Sequence, residues 1–192
     1  MDDISYFLYN LKSVRQLVVW LNQLPLPYHK MPVKVRQHRM TADTIDRYLM
    51  LWLWKFGFYE RFEREVISHY CKEGMNVLYL GANIGAYTLL LSERVGDTGR
   101  VIAFEPHPTN FTALQRNITM NQLNNITALN YAIGAKNGLC SLYVSSSHQG
   151  DHRIYLPQDE QREYIPVQMV ALDESLIPVK YYTYRVLWQN IH

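Results

Sequence analysis

The sequence predicts an α/β fold with a parallel sheet, because short apolar strands alternate with helices between residues 75 and 133. The strand candidates are NVLYL, RVIAFE and ITALNYAI, and the helix candidates between them are AYTLLLSERV and NFTALQRNITMNQ. Strands that alternate with helices in this way lie parallel in one sheet. After Gly134 two further strand candidates follow, LCSLYV and YIPVQMVAL.

The region before residue 75 is predicted to be a helical extension. Residues 4–24 place apolar side chains at helical spacing, and Pro25 ends that pattern. Two more helices are expected, one from Asp43 to Phe56 with Thr41 or Asp43 as its cap, and one in YERFEREVISHYCKEG that ends at Gly74. The expected division is therefore a helical extension, 1–74, and a partial sheet domain, 75–192.

The stretch between the first two helices, residues 28–42, has no clear period and is predicted to be a connector. It contains the basic cluster HKMPVKVRQHR. Charged surface loops are common, so this cluster is interpreted as a solvated segment in preference to an anion-binding patch.

Composition excludes several classes of function. The 192 residues are 48% hydrophobic, and 19 Lys+Arg against 17 Asp+Glu give a net charge of +2, which does not indicate binding to nucleic acid or to a membrane surface. Cys71 and Cys140 have no metal-ligand spacing, so no metal is expected and a reducing compartment is indicated. No apolar run approaches the ~20 residues of a membrane helix. A soluble cytoplasmic protein is expected.

The turn between the first strand and its helix, Gly81-Ala82-Asn83-Ile84-Gly85, is the first candidate binding feature. Glycines there let the backbone N–H groups approach a ligand beyond the carboxyl ends of the strands. The alternative is a glycine turn that only closes a tight strand-to-helix connection.

The second candidate feature is Glu105, which ends the second strand 24 residues after Gly81. A carboxylate at that place can accept both hydrogen bonds of a ribose diol, although it is also consistent with an exposed strand-end acid. Asn83 stands where G-x-G-x-x-G has its second glycine, which disfavours an NAD-dependent oxidoreductase. S-adenosyl-L-methionine (SAM), a nucleoside without pyrophosphate, fits better.

Three segments carry a resemblance to a known family: LGANIGAYTLLLS, GRVIAFEPHPTNFTALQRNITMNQLNN and ALNYAIGAKNG. They resemble the FkbM-type methyltransferases, a branch of the Rossmann-like SAM-dependent enzymes, and the resemblance covers roughly residues 40–178. It implies a class I methyltransferase sheet with flanking helices. It also implies methyl transfer from SAM to a hydroxyl or amine of a sugar or small metabolite.

The resemblance assigns roles to individual residues. The turn after the first strand would line the methionine part of the cofactor, through Gly81, Ala82, Asn83 and Gly85. Glu105 would hold the ribose hydroxyls, Pro106 and His107 would flank the adenosine, and Glu60 would reach the amino-acid end.

A downstream loop with the sequence GDHR supplies the catalytic candidates. By resemblance, Asp151, His152 and Arg153 lie near the open end of the site. His152 could act as a general base and Arg153 could bind an anionic group of the substrate. A plain surface loop is an equally supported interpretation.

The sequence departs from the family pattern at Tyr79, where the family usually has Asp. A phenol cannot supply the charge, and a lost charge-assisted hydrogen bond is worth about 1.5–3 kcal/mol. We therefore expect weaker cofactor binding, unless Glu60 compensates, and tighter SAM binding in a Tyr79→Asp variant.

The C-terminal end departs further. After ALDESLIP the chain continues as VKYYTYRVLWQNIH, without the family's I-D-x-x-G-x-E strand and with no acid after Glu174. A shifted reading frame or a truncated gene would produce this pattern, so the sheet is expected to be incomplete. Residues 181–188 are expected to dock beside the first strand or to remain an exposed edge. The alternative function is a non-catalytic remnant or interaction module.

Overall fold

The computed structural model describes residues 30–43, 61–145, 150–155, 161–172 and 184–188. The elements in these ranges are β1 (Lys30–Val35), β2 (His38–Asp43), α1 (Arg61–Tyr70), β3 (Asn76–Leu80), α2 (Ala86–Val95), β4 (Arg100–Phe104), α3 (Pro108–Met120), β5 (Ile126–Leu129), β6 (Ala132–Ile133), β7 (Gly138–Tyr143), β8 (Tyr164–Val170) and β9 (Tyr184–Trp188). The helices predicted in residues 4–24 and in most of Asp43–Phe56 lie outside the described residues. The predicted domain boundary at residue 74 stays a prediction.

The central sheet has four parallel strands in the order β5-β4-β3-β9, which confirms the predicted α/β class. β9 lies beside β3, from Asn76 opposite Tyr184 to Leu80 opposite Trp188, so the expected docking of a fourth strand beside the first is confirmed.

β3 is buried on both of its faces, which explains the continuous apolar run NVLYL. Val77 and Tyr79 pack on one face with the helix residues Leu90 and Leu91. The neighbouring Leu78, Leu80 and Phe104 form a second cluster on the opposite face, and Val170 and Leu172 pack against it. The segment that follows β8 therefore helps to cover that face.

The sequence predicts a connector over residues 28–42, but the described part of it, residues 30–42, belongs to an antiparallel hairpin of β1 and β2. Its turn contains Arg36 at φ 56°. Val33, Val35, Met40 and Ala42 are buried, and the residues between them are mostly exposed. The basic side chains hid this period-2 pattern, since they occupy its solvent face.

Asn117 in α3 and Asn121, the residue that follows α3, hold the hairpin edge through backbone hydrogen bonds. Asn117 Oδ1 accepts from the N–H of Thr41 at 2.9 Å, and its Nδ2 donates to the carbonyls of Thr41 and Ile84 at 3.3 and 2.8 Å. Asn121 makes the same pair of bonds with Arg39, at 2.9 and 2.6 Å. Arg39 and Thr41 are two residues apart, so the two amides substitute for a neighbouring strand.

We expect Asn117→Ala to lower the free energy of unfolding by about 2–3 kcal/mol, because it leaves buried backbone groups without partners. Urea denaturation measures this change, and hydrogen exchange should show faster exchange of the Thr41 amide. Gln115→Ala, on an exposed position of the same helix, is the control. Equal stability of the two variants would show that the Asn117 side chain does not stabilise the hairpin edge.

Two other boundaries differ from prediction. α1 ends at Tyr70 and not at Gly74, which sits at φ +79° in the turn before β3. The third strand candidate divides into β5 and β6, which belong to different sheets. Asn130 lies at the break, and its Nδ2 donates to the carbonyls of Glu105 and Pro106 at 2.7 and 3.0 Å, drawing the chain toward the end of β4.

Thr41 and Asp43, predicted as helix caps, lie in β2.

β6, β8 and β7 form a second sheet, in which β7 and β8 are the two predicted downstream strands. β7 and β8 pair antiparallel, and β6 joins β8 in parallel. This sheet stands beside the carboxyl ends of β3 and β4 and supplies one wall of the site.

Candidate functional site

The glycine turn after β3 folds back on the end of β4. The N–H groups of Gly81 and Ala82 both donate to the carbonyl of Phe104, at 2.9 and 2.8 Å. Gly81, Asn83 and Gly85 have positive φ, at 82, 50 and 100°. Glycine and asparagine are the residues that adopt this conformation most readily, so the turn follows directly from the sequence.

Glu105 lies against this turn. Its Oε2 accepts a hydrogen bond from the N–H of Asn83 at 2.7 Å, and its Oε1 accepts one from the N–H of His107 at 2.9 Å. The expectation that the turn and the acid meet at the ends of adjacent parallel strands is confirmed.

Burial controls the charge of this carboxyl group. Glu105 is only 4% exposed, and burial raises its pKa from 4.5 to about 7, against hydrogen bonds from His107, Asn83 and Asn110 that lower it. A buried carboxyl group whose pKa is shifted toward neutral is found more often at functional sites than elsewhere.

The sequence interpretation missed Asn110 and Asn130, which support Glu105. Asn110 bonds the carboxyl group from the first turn of α3, and Asn130 fixes the backbone of Glu105 and Pro106. Asn130 could have been found from its position, because it directly follows β5 and the carboxyl ends of parallel strands meet at one edge of the sheet.

Gly85 has a packing reason for being glycine. A Cβ atom there would lie 2.7 Å from Leu114 Cδ1, and the residue caps α2 in the left-handed conformation. Gly85 therefore lets α2 approach α3. Its place beside the methionine part of a cofactor stays a prediction.

A cavity of about 230 Å³ opens at the carboxyl ends of β3 and β4. It brings together four residues of the predicted site, namely Gly81, Pro106, His152 and Arg153, with Tyr131 from the end of β5. Glu60 lies outside the described residues, so its role stays a prediction.

His152 stacks on His107, with ring centroids 4.3 Å apart. Its Nδ1 accepts the N–H of Ser145 at 3.1 Å, so in the neutral ring Nε2 carries the proton. This tautomer makes Nε2 a donor, which argues against the predicted general-base role. Burial lowers the pKa of His107 and keeps that ring neutral at pH 7.

Asp151 and Arg153 form an ion pair, with Nε 2.8 Å from Oδ1. Arg162 Nη2 approaches the other oxygen of Asp151 at 2.6 Å. Burial would raise the pKa of Asp151, but the hydrogen bonds and charges of both arginines hold it below its ordinary value. The GDHR loop is therefore tied to the segment before β8.

The Tyr79 side chain lies in the hydrophobic core and does not line the cavity. It is 3% exposed and packs edge-on against Tyr87, with ring centroids 6.5 Å apart. Its side chain belongs to the core between the sheet and α2.

A parallel sheet with a glycine turn after one strand and an acid after the next defines the Rossmann-like class to which SAM-dependent methyltransferases belong. The family model "Methyltransferase FkbM domain" matches residues 80–182, just over half of the chain. The chain belongs to the FkbM methyltransferase family.

Solved structures of SAM methyltransferases are similar to this chain. A SAM-dependent methyltransferase from Aquifex aeolicus is 30% identical over 35% of this chain and 36% of that one, with a TM-score of 0.33. TYW2 from M. jannaschii, solved with AdoMet, is 22% identical over 55% and 45%, with a TM-score of 0.42. A Thermotoga maritima O-methyltransferase is 18% identical over 53% and 40%, with a TM-score of 0.36.

The chain spans less than half of each of these solved structures. No curated protein matches it significantly. Among the described helices, none has the length and apolar character needed to cross a membrane.

Proposed function

We propose that the chain binds SAM across the carboxyl ends of β3 and β4, and that its reaction is methyl transfer to a hydroxyl or amine of a small molecule such as a sugar. The main support is the hydrogen bond that the Asn83 N–H of the glycine turn donates to the Glu105 carboxylate at 2.7 Å. Family membership gives the reaction class.

The residues present fit the cofactor. Glu105 accepts the N–H groups of Asn83 and His107 and a side-chain hydrogen bond from Asn110, and because a carboxylate has about four lone-pair sites it can accept one more hydrogen bond, such as that of the ribose 2′-hydroxyl. Asn83 Oδ1 is buried and accepts no hydrogen bond from the described residues, which suits a ligand donor such as the methionine ammonium group. Pro106 and Tyr131 line the adjoining cavity, where an apolar base can lie.

Bound SAM supplies an electrophilic methyl group on its sulfonium. The chain then contributes mainly position, because in-line displacement depends on holding two reactants in line. Glu105 would fix the nucleoside. The cysteines are free thiols, which is compatible with a reducing compartment and supports a cytoplasmic location.

Calorimetric titration tests the cofactor site. We expect S-adenosylhomocysteine to bind about 10–100-fold more tightly than its 2′-deoxy analogue, because a hydrogen bond to a charged group is worth about 1.5–3 kcal/mol. Equal affinities would show that the carboxylate does not hold the ribose.

A second candidate function is a non-catalytic binding module, which the sequence of β9 favours. YRVLW lies directly beside β3 and contains no acid. This alternative predicts that the chain alone shows little or no methyl transfer in a radiolabelled-methyl assay with sugars and small hydroxyl compounds. Turnover near the ~1–10³ s⁻¹ of common enzymes would prove that no acid is needed there.

A further inference from the structure

Three of the seven large apolar side chains that are exposed in the described residues lie at the mouth of the cavity. Tyr131, Ile154 and Tyr155 are 37, 39 and 51% exposed, and all three line it. Exposed apolar side chains around one concave site are typical of a ligand-binding surface.

The described residues that line the cavity include a cation, Arg153, and no carboxylate. Such a lining disfavours a cationic group and favours an anionic one.

The guanidinium of Arg153 is fixed from several directions. Its Nε donates to Asp151 at 2.8 Å, its Nη1 donates to the Tyr155 hydroxyl at 3.2 Å, and the group lies 5.6 Å from the centre of the Tyr155 ring. The backbone of Arg153 pairs with that of Tyr143 in both directions, at 2.7 and 3.0 Å. A preorganised guanidinium loses little freedom when it binds a ligand.

Asp151 is shared between two cations. One of its oxygens faces the guanidinium of Arg153 and the other faces that of Arg162, so a single carboxylate oxygen is paired with Arg153. Within the described ranges, Arg153 Nη2 donates to no residue and remains available to a ligand.

We propose that the methyl acceptor carries a carboxylate or phosphate group that Arg153 binds, while its apolar part packs on Tyr155. This identification of the bound molecule as the acceptor rests on the proposed function. Arg153 is then the residue that selects anionic acceptors over neutral ones of the same shape.

Matched probes test the selection. 4-Hydroxybenzoate, 4-hydroxybenzamide and phenyl phosphate are titrated into the full chain and followed by ligand-observed NMR up to about 10 mM, where weak affinities are still measurable. We expect at least one anion to bind about 10-fold or more tightly than the amide, the size of one charge-assisted hydrogen bond. Arg153→Gln should remove that difference, whereas Lys34→Gln, an equal charge change on the exposed face of the hairpin, should keep it.

Equal binding of anions and amide, no binding of either anion, or an anion preference that survives Arg153→Gln would each overturn the proposal. S-Adenosylhomocysteine is titrated separately into the same variants. Its affinity should be unchanged by Arg153→Gln. If it fails to bind the unmodified chain, the cofactor proposal fails, while anion selection by Arg153 is still decided by the probes.

Discussion

Glu105→Gln is expected to weaken SAM binding by about 100-fold at pH 8 and to remove its dependence on pH. In the unmodified chain the carboxyl pKa is about 7, so the ionised form, which accepts a ribose hydroxyl, becomes dominant as the pH rises through 7. Affinity should therefore increase between pH 6 and 8. A glutamine has one acceptor oxygen at every pH, and losing a charged acceptor costs about 1.5–3 kcal/mol.

The same group gives an opposite trend in stability without ligand. Its pKa is higher in the folded chain than its ordinary value of 4.5, so its contribution to stability is fully present below pH 4.5 and is lost as the pH rises through about 7. At 1.36 kcal/mol for each pH unit, the loss relative to the glutamine variant is about 3 kcal/mol.

Urea denaturation and calorimetry at pH 5, 6, 7 and 8 check both trends. Glu73→Gln, which changes an exposed carboxylate, is the matched control and should behave like the unmodified chain. A glutamine variant whose stability follows the same pH curve as the unmodified chain would show that Glu105 does not titrate in this range.

Tyr79→Asp is expected to destabilise the fold by more than about 4 kcal/mol, the reverse of the benefit that family resemblance predicts. The change removes a buried aromatic ring, which alone costs about 3–5 kcal/mol, and places a carboxylate in the core. Tyr79 packs against Tyr87 and is 3% exposed, so the acid would have to be desolvated there.

Denaturation of Tyr79→Asp and Tyr79→Phe separates the ring from the hydroxyl. The phenylalanine variant keeps the packing and should lose no more than about 1–2 kcal/mol. If the aspartate variant is as stable as the unmodified chain and binds SAM more tightly, the core accommodates the acid. The benefit that the family resemblance predicts would then be correct, and the destabilisation expected from the burial of Tyr79 would be wrong.

The β-α-β-α-β order was predictable from local pattern. The strand and helix candidates around the glycine turn correspond to β3, α2, β4 and α3, since each has a clear apolar period and a glycine or polar end. The contact between Asn83 and Glu105 followed from topology alone, because adjacent parallel strands end at one edge.

The features that sequence missed depend on distant partners. Side chains at the C-terminal end of α3 bind the backbone of the hairpin edge, and no local pattern shows that Asn117 and Asn121 act as strand partners. The environment of Tyr79 depends on Tyr87 and α2, so a rule about the residue type at that position could not reveal its burial.

The hydrogen bonds from Asn117 and Asn121 to the hairpin have a consequence for the nascent chain. Arg39 leaves the ribosome 82 residues before Asn121, its partner, and at ~5–20 residues per second this interval is about 4–16 s. An isolated two-stranded hairpin is marginally stable in water. During that interval Val33, Val35 and Met40, which are buried in the finished fold, have no surface to cover them. The earliest described strands are therefore the ones most exposed to chaperones and proteases during synthesis.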